Sequence, residues 1–234
     1  MDKLNGRRFS FSTVPREMRD FFTSRMRGFV EDVVSPPQED LEHGFRIAAE
    51  MVKLNRLEKT HNEATFFDAF KVPFCLTLLR SFTNLCACME TRVEFELETS
   101  GSLSGQFELM FRKVSNDIPI MFFEAKLNVS ADHINQICSA MYGVMHSRDP
   151  SRRPKAVHGA LFDMKNLYLL FYDGSLFYTH HSAIPLLNWS EDNSTADLAE
   201  SSYVGWLSRL YGLMRRTGAP VQNFDLPPNY FKTN

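Results

Sequence analysis

Apolar residues recur at helical spacing through the first third of the chain. Met18, Phe21, Phe22, Met26, Phe29, Val30 and Val33 predict one helix over 14–34, closed by Ser35-Pro36-Pro37. Leu41, Phe45, Ile47, Ala48, Met51 and Leu54 form the stripe of a second helix over 39–57. A third helical stretch covers about 62–85, with a possible break before Pro73.

The period then changes from 3.6 to 2. Val93, Phe95 and Leu97 alternate with Glu94, Glu96 and Glu98, which predicts a half-buried strand over 91–98. Ser100-Gly101-Ser102 and Gly105 mark the turn after it. Strands follow over 106–114 and 118–128, joined by a hairpin at Ser115-Asn116-Asp117. A helix is expected over 131–145, then strands over 157–162, 167–172 and 175–179, the last two joined through Asp173-Gly174. The final helix spans about 198–216, with Arg215 and Arg216 in its last turn and Gly218 beyond.

This order predicts an α/β fold with a mixed central sheet flanked by helices. The expected organisation is an N-terminal helical extension (1–60) packed on a core (61–218) that includes the C-terminal helix. A Pro-rich extended tail (219–234) completes it.

Composition fits such a domain. The 234 residues are 44% hydrophobic and 23% charged, and 21 phenylalanines predict an aromatic core. A net charge of −2 argues against a protein that coats nucleic acid, and confines any DNA or RNA contact to one face. Cys75, Cys86, Cys88 and Cys138 lack zinc-site spacing and read as buried thiols in a reducing compartment. Neither an apolar leader nor a membrane-length run is visible, so an intracellular chain, cytoplasmic or nuclear, without membrane contact is expected.

The candidate chemistry lies in the segment from Ile118 to Lys126, which ends in Glu124-Ala125-Lys126. Side chains alternate along a strand, so Glu124 and Lys126 share a face. A carboxylate and an ammonium after so apolar a run are costly unless exposed, paired or metal-bound. Glu108, on the preceding strand, can approach Glu124 across the hairpin. Two converging carboxylates suit Mg²⁺ or Mn²⁺, and a lysine beside them can position or help deprotonate a water.

In these features the stretch 62–179 resembles the PD-(D/E)XK nuclease superfamily. That family has an acidic residue after a glycine-containing turn, a glutamate-x-lysine closing the next strand, and a helix bearing a glutamine. The matching residues are Glu108, Glu124, Lys126 and Gln136. A glutamate on the helix before the sheet is also common there, and Glu63 matches it. The chain departs from the pattern at Glu108, where the family usually has aspartate. The resemblance implies a restriction-endonuclease-like core, with Glu63, Glu108 and Glu124 holding one or two divalent ions. Lys126 would then orient the attacking water, and Gln136 would position the lysine or the backbone.

Bland alternatives stand beside these roles. Glu124 and Lys126 also suit a surface ion pair, Glu108 an exposed strand position, Gln136 a polar helix position and Glu63 a helix cap. Glu94, Glu96 and Glu98 read as a solvated strand face. His61, two residues from Glu63, and the pair His180-His181 read as loop or surface histidines rather than ligands. Arg152, Arg153 and Lys155 form the best basic patch for a nucleic-acid phosphate, with Arg215-Arg216 second. The expected function is metal-dependent hydrolysis of DNA or RNA phosphodiesters. The alternative is an inactive relative that keeps the fold as a protein-interaction or nucleic-acid-binding module, with its partner surface on the N-terminal helices.

Overall fold

The computed structural model describes residues 7–54, 63–99, 101–190, 196–216 and 223–226. In chain order the elements are β1 (Arg8–Ser10), α1 (Arg16–Ser24), β2 (Met26–Phe29), α2 (Gln38–Leu54), α3 (Glu63–Ser81), β3 (Leu85–Glu96), β4 (Ser102–Lys113) and β5 (Pro119–Ala125). After them come α4 (Ala131–Met145), β6 (Val157–Phe162), β7 (Asn166–Tyr172), β8 (Phe177–Ala183), β9 (Leu187–Trp189), β10 (Ala196–Leu198), α5 (Glu200–Arg215) and β11 (Asn223–Phe224).

The alternation read along the central strands sends successive side chains into two separate cores. Met121, Phe123 and Ala125 of β5 join Phe70, Phe74 and Leu78 of α3 and Trp206, Leu207 and Leu210 of α5. Phe122, between them, joins Ile134, Ile137 and Met141 of α4 and Met18 and Phe22 of α1. The result is an α/β fold with α2, α3 and α5 on one face of a mixed sheet and α1 and α4 on the other. β5 and β6 are parallel, as their connection through α4 requires, whereas β4–β5, β6–β7 and β7–β8 are antiparallel.

The first predicted helix is instead a helix followed by a strand. α1 stops at Ser24, and β2 enters the sheet parallel to β8, with Met26 opposite Phe177 and Gly28 opposite Thr179. Met26 lies in the α1/α4 core and Phe29 in the opposite one, as strand alternation demands. Val30 and Val33, which complete a helical stripe in the sequence, are exposed. The Phe224 ring of β11 packs directly on the Gly28 backbone, where a Cβ would lie 2.2 Å from it. Residues before 61 therefore supply two sheet strands, β1 and β2, besides helices. The tail expected to be extended adds β11 to β2, and of its residues only 223–226 belong to the described set.

Smaller differences have similar causes. α3 runs unbroken through Pro73 and ends at Ser81, because Phe70, Phe74 and Leu78 are fully buried and tertiary packing outweighs one lost N–H. β3 starts at Leu85, six residues before the onset at 91 read from the glutamate alternation, and β8 continues to Ala183. Helix α4 and strand β6 have the predicted limits. Cys75 and Cys138 are buried, whereas Cys86 and Cys88 are half-buried on β3.

One buried polar group gives the fold a predicted acid sensitivity. His158 of β6 is 3% exposed, and burial lowers its pKa to about 4, outweighing a backbone hydrogen bond at Arg216 that raises it, with the Arg216 charge a lesser lowering influence. Between pH 6.5 and 4 the unfolded chain therefore binds a proton at this position that the folded chain does not. Stability falls as pH drops through that window, by up to about 3 kcal/mol, at about 1.4 kcal/mol per unit. Urea unfolding at pH 5 and pH 7 is expected to show this loss, and His158→Leu is expected to reduce it.

Candidate active site

Strand β4 has two edges, and β3 pairs along one of them from Ser102 to Lys113, interrupted only at Glu108. The other edge is divided. β1 takes Ser102–Ser104 and β5 takes Leu109–Arg112, so 105–108 has no strand partner on that side. Gly105 permits this spacing, since Phe11 of the turn after β1 packs where its Cβ would be, 2.3 Å from Cδ2. The β4 alternation also skips at this point. Phe107 belongs to the α1/α4 core and Leu109 to the opposite one. Across from the skip, Glu90 has a φ of 49°.

Glu108 sits at that irregularity. Its Oε2 accepts the Ala125 backbone N–H at 2.7 Å, standing in for the carbonyl that a continuing ladder would provide. Glu124, directly before Ala125, is 3% exposed on the face covered by α4. Gln136, in the second turn of α4, donates from Nε2 to Glu124 Oε1 at 3.2 Å. Lys126 Nζ lies 3.0 Å from Glu124 Oε2 and 4.0 Å from Glu108 Oε1. One ammonium thus bonds Glu124 and stands within ion-pair distance of Glu108, and each Glu124 oxygen has its own partner.

Helix α4 is held for this contact at its N-terminus. Ser130 donates its N–H to His133 Nδ1 at 3.2 Å, and Arg19 of α1 bonds Asp132 at 3.2 Å. Lys126 keeps its backbone in register through its N–H to Phe162 O at 2.9 Å. The lysine is 17% exposed and Glu108 19%, so the ammonium and one carboxylate reach solvent while Glu124 forms the floor.

Four residues singled out in the sequence, Glu108, Glu124, Lys126 and Gln136, therefore converge. Glu63 opens α3, and its side chain lies outside the described set, as does His61. Among the described residues no group of three or more His, Cys, Asp or Glu side chains is placed to hold a metal ion. The two converging carboxylates remain compatible with Mg²⁺ or Mn²⁺, which retain several waters in such sites.

The basic loop is placed elsewhere. It precedes β6, whereas Glu124 pairs with Leu161 near the far end of that strand. From Val157 to Leu161 the offset is about 13 Å at a strand's rise per residue. Arg153 is spent on Glu98 and on the Ser147 carbonyl, and only Arg152 and Lys155 stay exposed. Arg152, Arg153 and Lys155 thus do not flank the carboxylates, because the parallel β5–β6 pairing puts the strand starts and the strand ends at opposite edges. Arg216 is likewise occupied, by Asp32 at 2.8 Å and by the Phe29 ring.

Histidine 180 belongs to a different cluster, with Glu31 of the segment after β2 at 3.3 Å. Arg209 of α5 bonds the same glutamate at 2.8 Å. His181 stacks on Tyr168 at a centroid distance of 4.5 Å. Sequence reasoning missed the Ala125 N–H as the group that aims Glu108. The signal for it was present in Gly105 and Glu108 together, but only the gap between β1 and β5 gives it meaning.

No helix among the described residues is long and apolar enough to cross a membrane. Comparison with protein-family models and with curated proteins found no match for this chain.

Proposed function

We propose that the chain is a metal-dependent nuclease of the PD-(D/E)XK type, hydrolysing phosphodiester bonds of DNA or RNA at Glu108, Glu124, Lys126 and Gln136. The observation that carries this reading is the nearly fully buried Glu124, with Lys126 Nζ at 3.0 Å and Gln136 Nε2 at 3.2 Å on its two oxygens, beside a second carboxylate fixed by a backbone N–H. A merely structural ion pair would not need Glu108 turned toward the same ammonium. The element order α3, β3, β4, β5, α4, β6, with the glutamate-x-lysine closing β5, also supports the reading.

Glu108 and Glu124 would hold Mg²⁺ or Mn²⁺, with Glu63 as the further candidate ligand from α3. The ion would polarise the phosphodiester and lower the pKa of a bound water. Lys126 holds a water or a phosphate oxygen next to the carboxylates with its charge-assisted donors. Gln136 fixes the Glu124 carboxylate in one rotamer, so that its other oxygen stays directed at the lysine. The Ala125 N–H does the same for Glu108. Burial of Glu124 keeps bulk water from screening these charges.

Calorimetric titration with Mn²⁺ tests the reading. Wild type is expected to give a saturable heat that Glu124→Ala abolishes, and to nick DNA or RNA oligonucleotides only with the ion present. A wild type that binds no Mn²⁺ and cleaves nothing would favour the inactive, binding-only alternative.

A further inference from the structure

Strand β3 forms an outer edge of the sheet, since β4 is its only strand partner among the described residues. Its end is already partly paired. Arg148 donates its N–H to Glu96 O at 2.8 Å, Glu98 donates to His146 O at 3.2 Å, and Leu97 bridges Ser147. These bonds identify the parity of the strand. Glu96 and Glu98 direct their N–H and C=O groups outward, so Glu94 and Arg92 do the same. No described residue pairs with that stretch of edge, and a cavity of about 460 Å³ lies beside Thr91–Glu96.

An open edge of this kind is a template for another strand. The side chains select which one. Arg92 and Glu94 are both exposed, and neither is held in an ion pair among the described residues. When an antiparallel copy of β3 is laid on the edge about an axis at Val93, Arg92 faces the partner's Glu94 and Glu94 faces the partner's Arg92. Val93 meets the partner's Val93 on the apolar side, and Thr91 meets the partner's Phe95. Both charged pairs fall at hydrogen-bonded positions, which matches the parity set by Glu96 and Glu98. Opposite charges directly across a ladder stabilise it, and like charges disfavour other registers.

The same register explains where pairing stops. Beyond the partner's Arg92 lies the partner's Glu90, at which the chain turns through a left-handed conformation, φ 49°. In this register the partner's Glu90 falls opposite Glu96, whose carbonyl already accepts the Arg148 N–H, so pairing ends there. We infer that the chain forms a two-fold homodimer in which the β3 edges pair antiparallel about Val93, joining two sheets into one through reciprocal Arg92–Glu94 contacts. This surface lies outside the proposed nuclease site and does not depend on that reading.

Sedimentation or light scattering across a protein concentration series tests the inference, with circular dichroism checking the fold. Wild type is expected to reach a dimer. Arg92→Glu and Glu94→Arg are each expected to be monomeric at the same concentrations, because each places like charges opposite one another twice. The double variant Arg92→Glu/Glu94→Arg restores the reciprocal pairing and is expected to dimerise again. Glu94→Pro, which removes an outward N–H while leaving the bonds to β4 intact, is expected to be monomeric. A monomeric wild type at the highest concentration overturns the proposal. So does a dimer that both single reversals leave intact, or a double variant that stays monomeric while the single variants behave as expected.

Discussion

Replacing Lys126 by methionine is expected to destabilise the metal-free protein by about 3–5 kcal/mol, the usual cost of removing one member of a buried ion pair. The cause is Glu124. Its side chain is 4% exposed and relies on the ammonium 3.0 Å away. Methionine retains most of the packing volume, so the loss is electrostatic rather than a cavity effect. Two further measurements separate the explanations. Adding Glu124→Gln to Lys126→Met removes the stranded charge and is expected to recover most of the stability. Adding Mn²⁺ to the single variant is expected to raise its melting temperature by more than it raises that of wild type, because the cation takes over the role of the ammonium. Cleavage is expected to be lost in both variants. A Lys126→Met protein as stable as wild type would show that Glu124 is not held by this pair. A melting temperature unmoved by Mn²⁺ would remove the metal from the proposed site.

Trp206→Ala is expected to have an effect of similar size for a different reason. Trp206 is the largest fully buried side chain among the described residues and packs edge-on to Phe162 of β6, joining α5 to the sheet. Its Nε1 donates to the Ile184 carbonyl at 2.8 Å. Truncation leaves a cavity and a buried carbonyl without its donor, at a cost of about 3–5 kcal/mol. In a domain of this size that corresponds to a fall in melting temperature of roughly 10 °C. Trp206→Phe keeps most of the volume and loses the hydrogen bond, so its fall is expected to be much smaller. Equal losses in the two variants would mean that the bond to Ile184, rather than packing, holds α5 in place.

These two expectations rest on features of unequal legibility. The ion pair is legible in the sequence, because a strand places every second residue on one face and Glu124 and Lys126 are two apart. That Glu124 would be nearly fully buried was not readable. It follows from α4 crossing over it, which puts Gln136 within hydrogen-bond reach. Gln136 itself is an unremarkable polar residue in the sequence, and its place in the site came only from a family resemblance. Glu108 was placed near Glu124 by the hairpin. Its true orientation comes from the skip in β4 and the N–H of Ala125.

The basic loop marks the limit of such reasoning. Arg152, Arg153 and Lys155 look suited to phosphate contact, yet clustering along the chain says nothing about which end of a strand they precede. Parallel pairing of β5 and β6 settles that, and it separates the loop from the carboxylates. The stretch 14–34 shows a related ambiguity. Apolar residues spaced three and four apart satisfy a helix stripe, but the same residues can serve a helix and then a two-sided strand when both faces of the sheet are covered.

By itself, then, the sequence determined the element types over most of the chain and the α/β class. It also determined the pairing of a carboxylate and an ammonium at the end of β5, because side-chain periodicity is a local property of the backbone. The tertiary structure alone decided which strands share an edge, that β2 and β11 belong to the sheet, and that the gap beside 105–108 turns Glu108 inward. Those outcomes depend on contacts between residues far apart in sequence, such as Phe11 with Gly105 and Phe224 with Gly28, for which local periodicity carries no information.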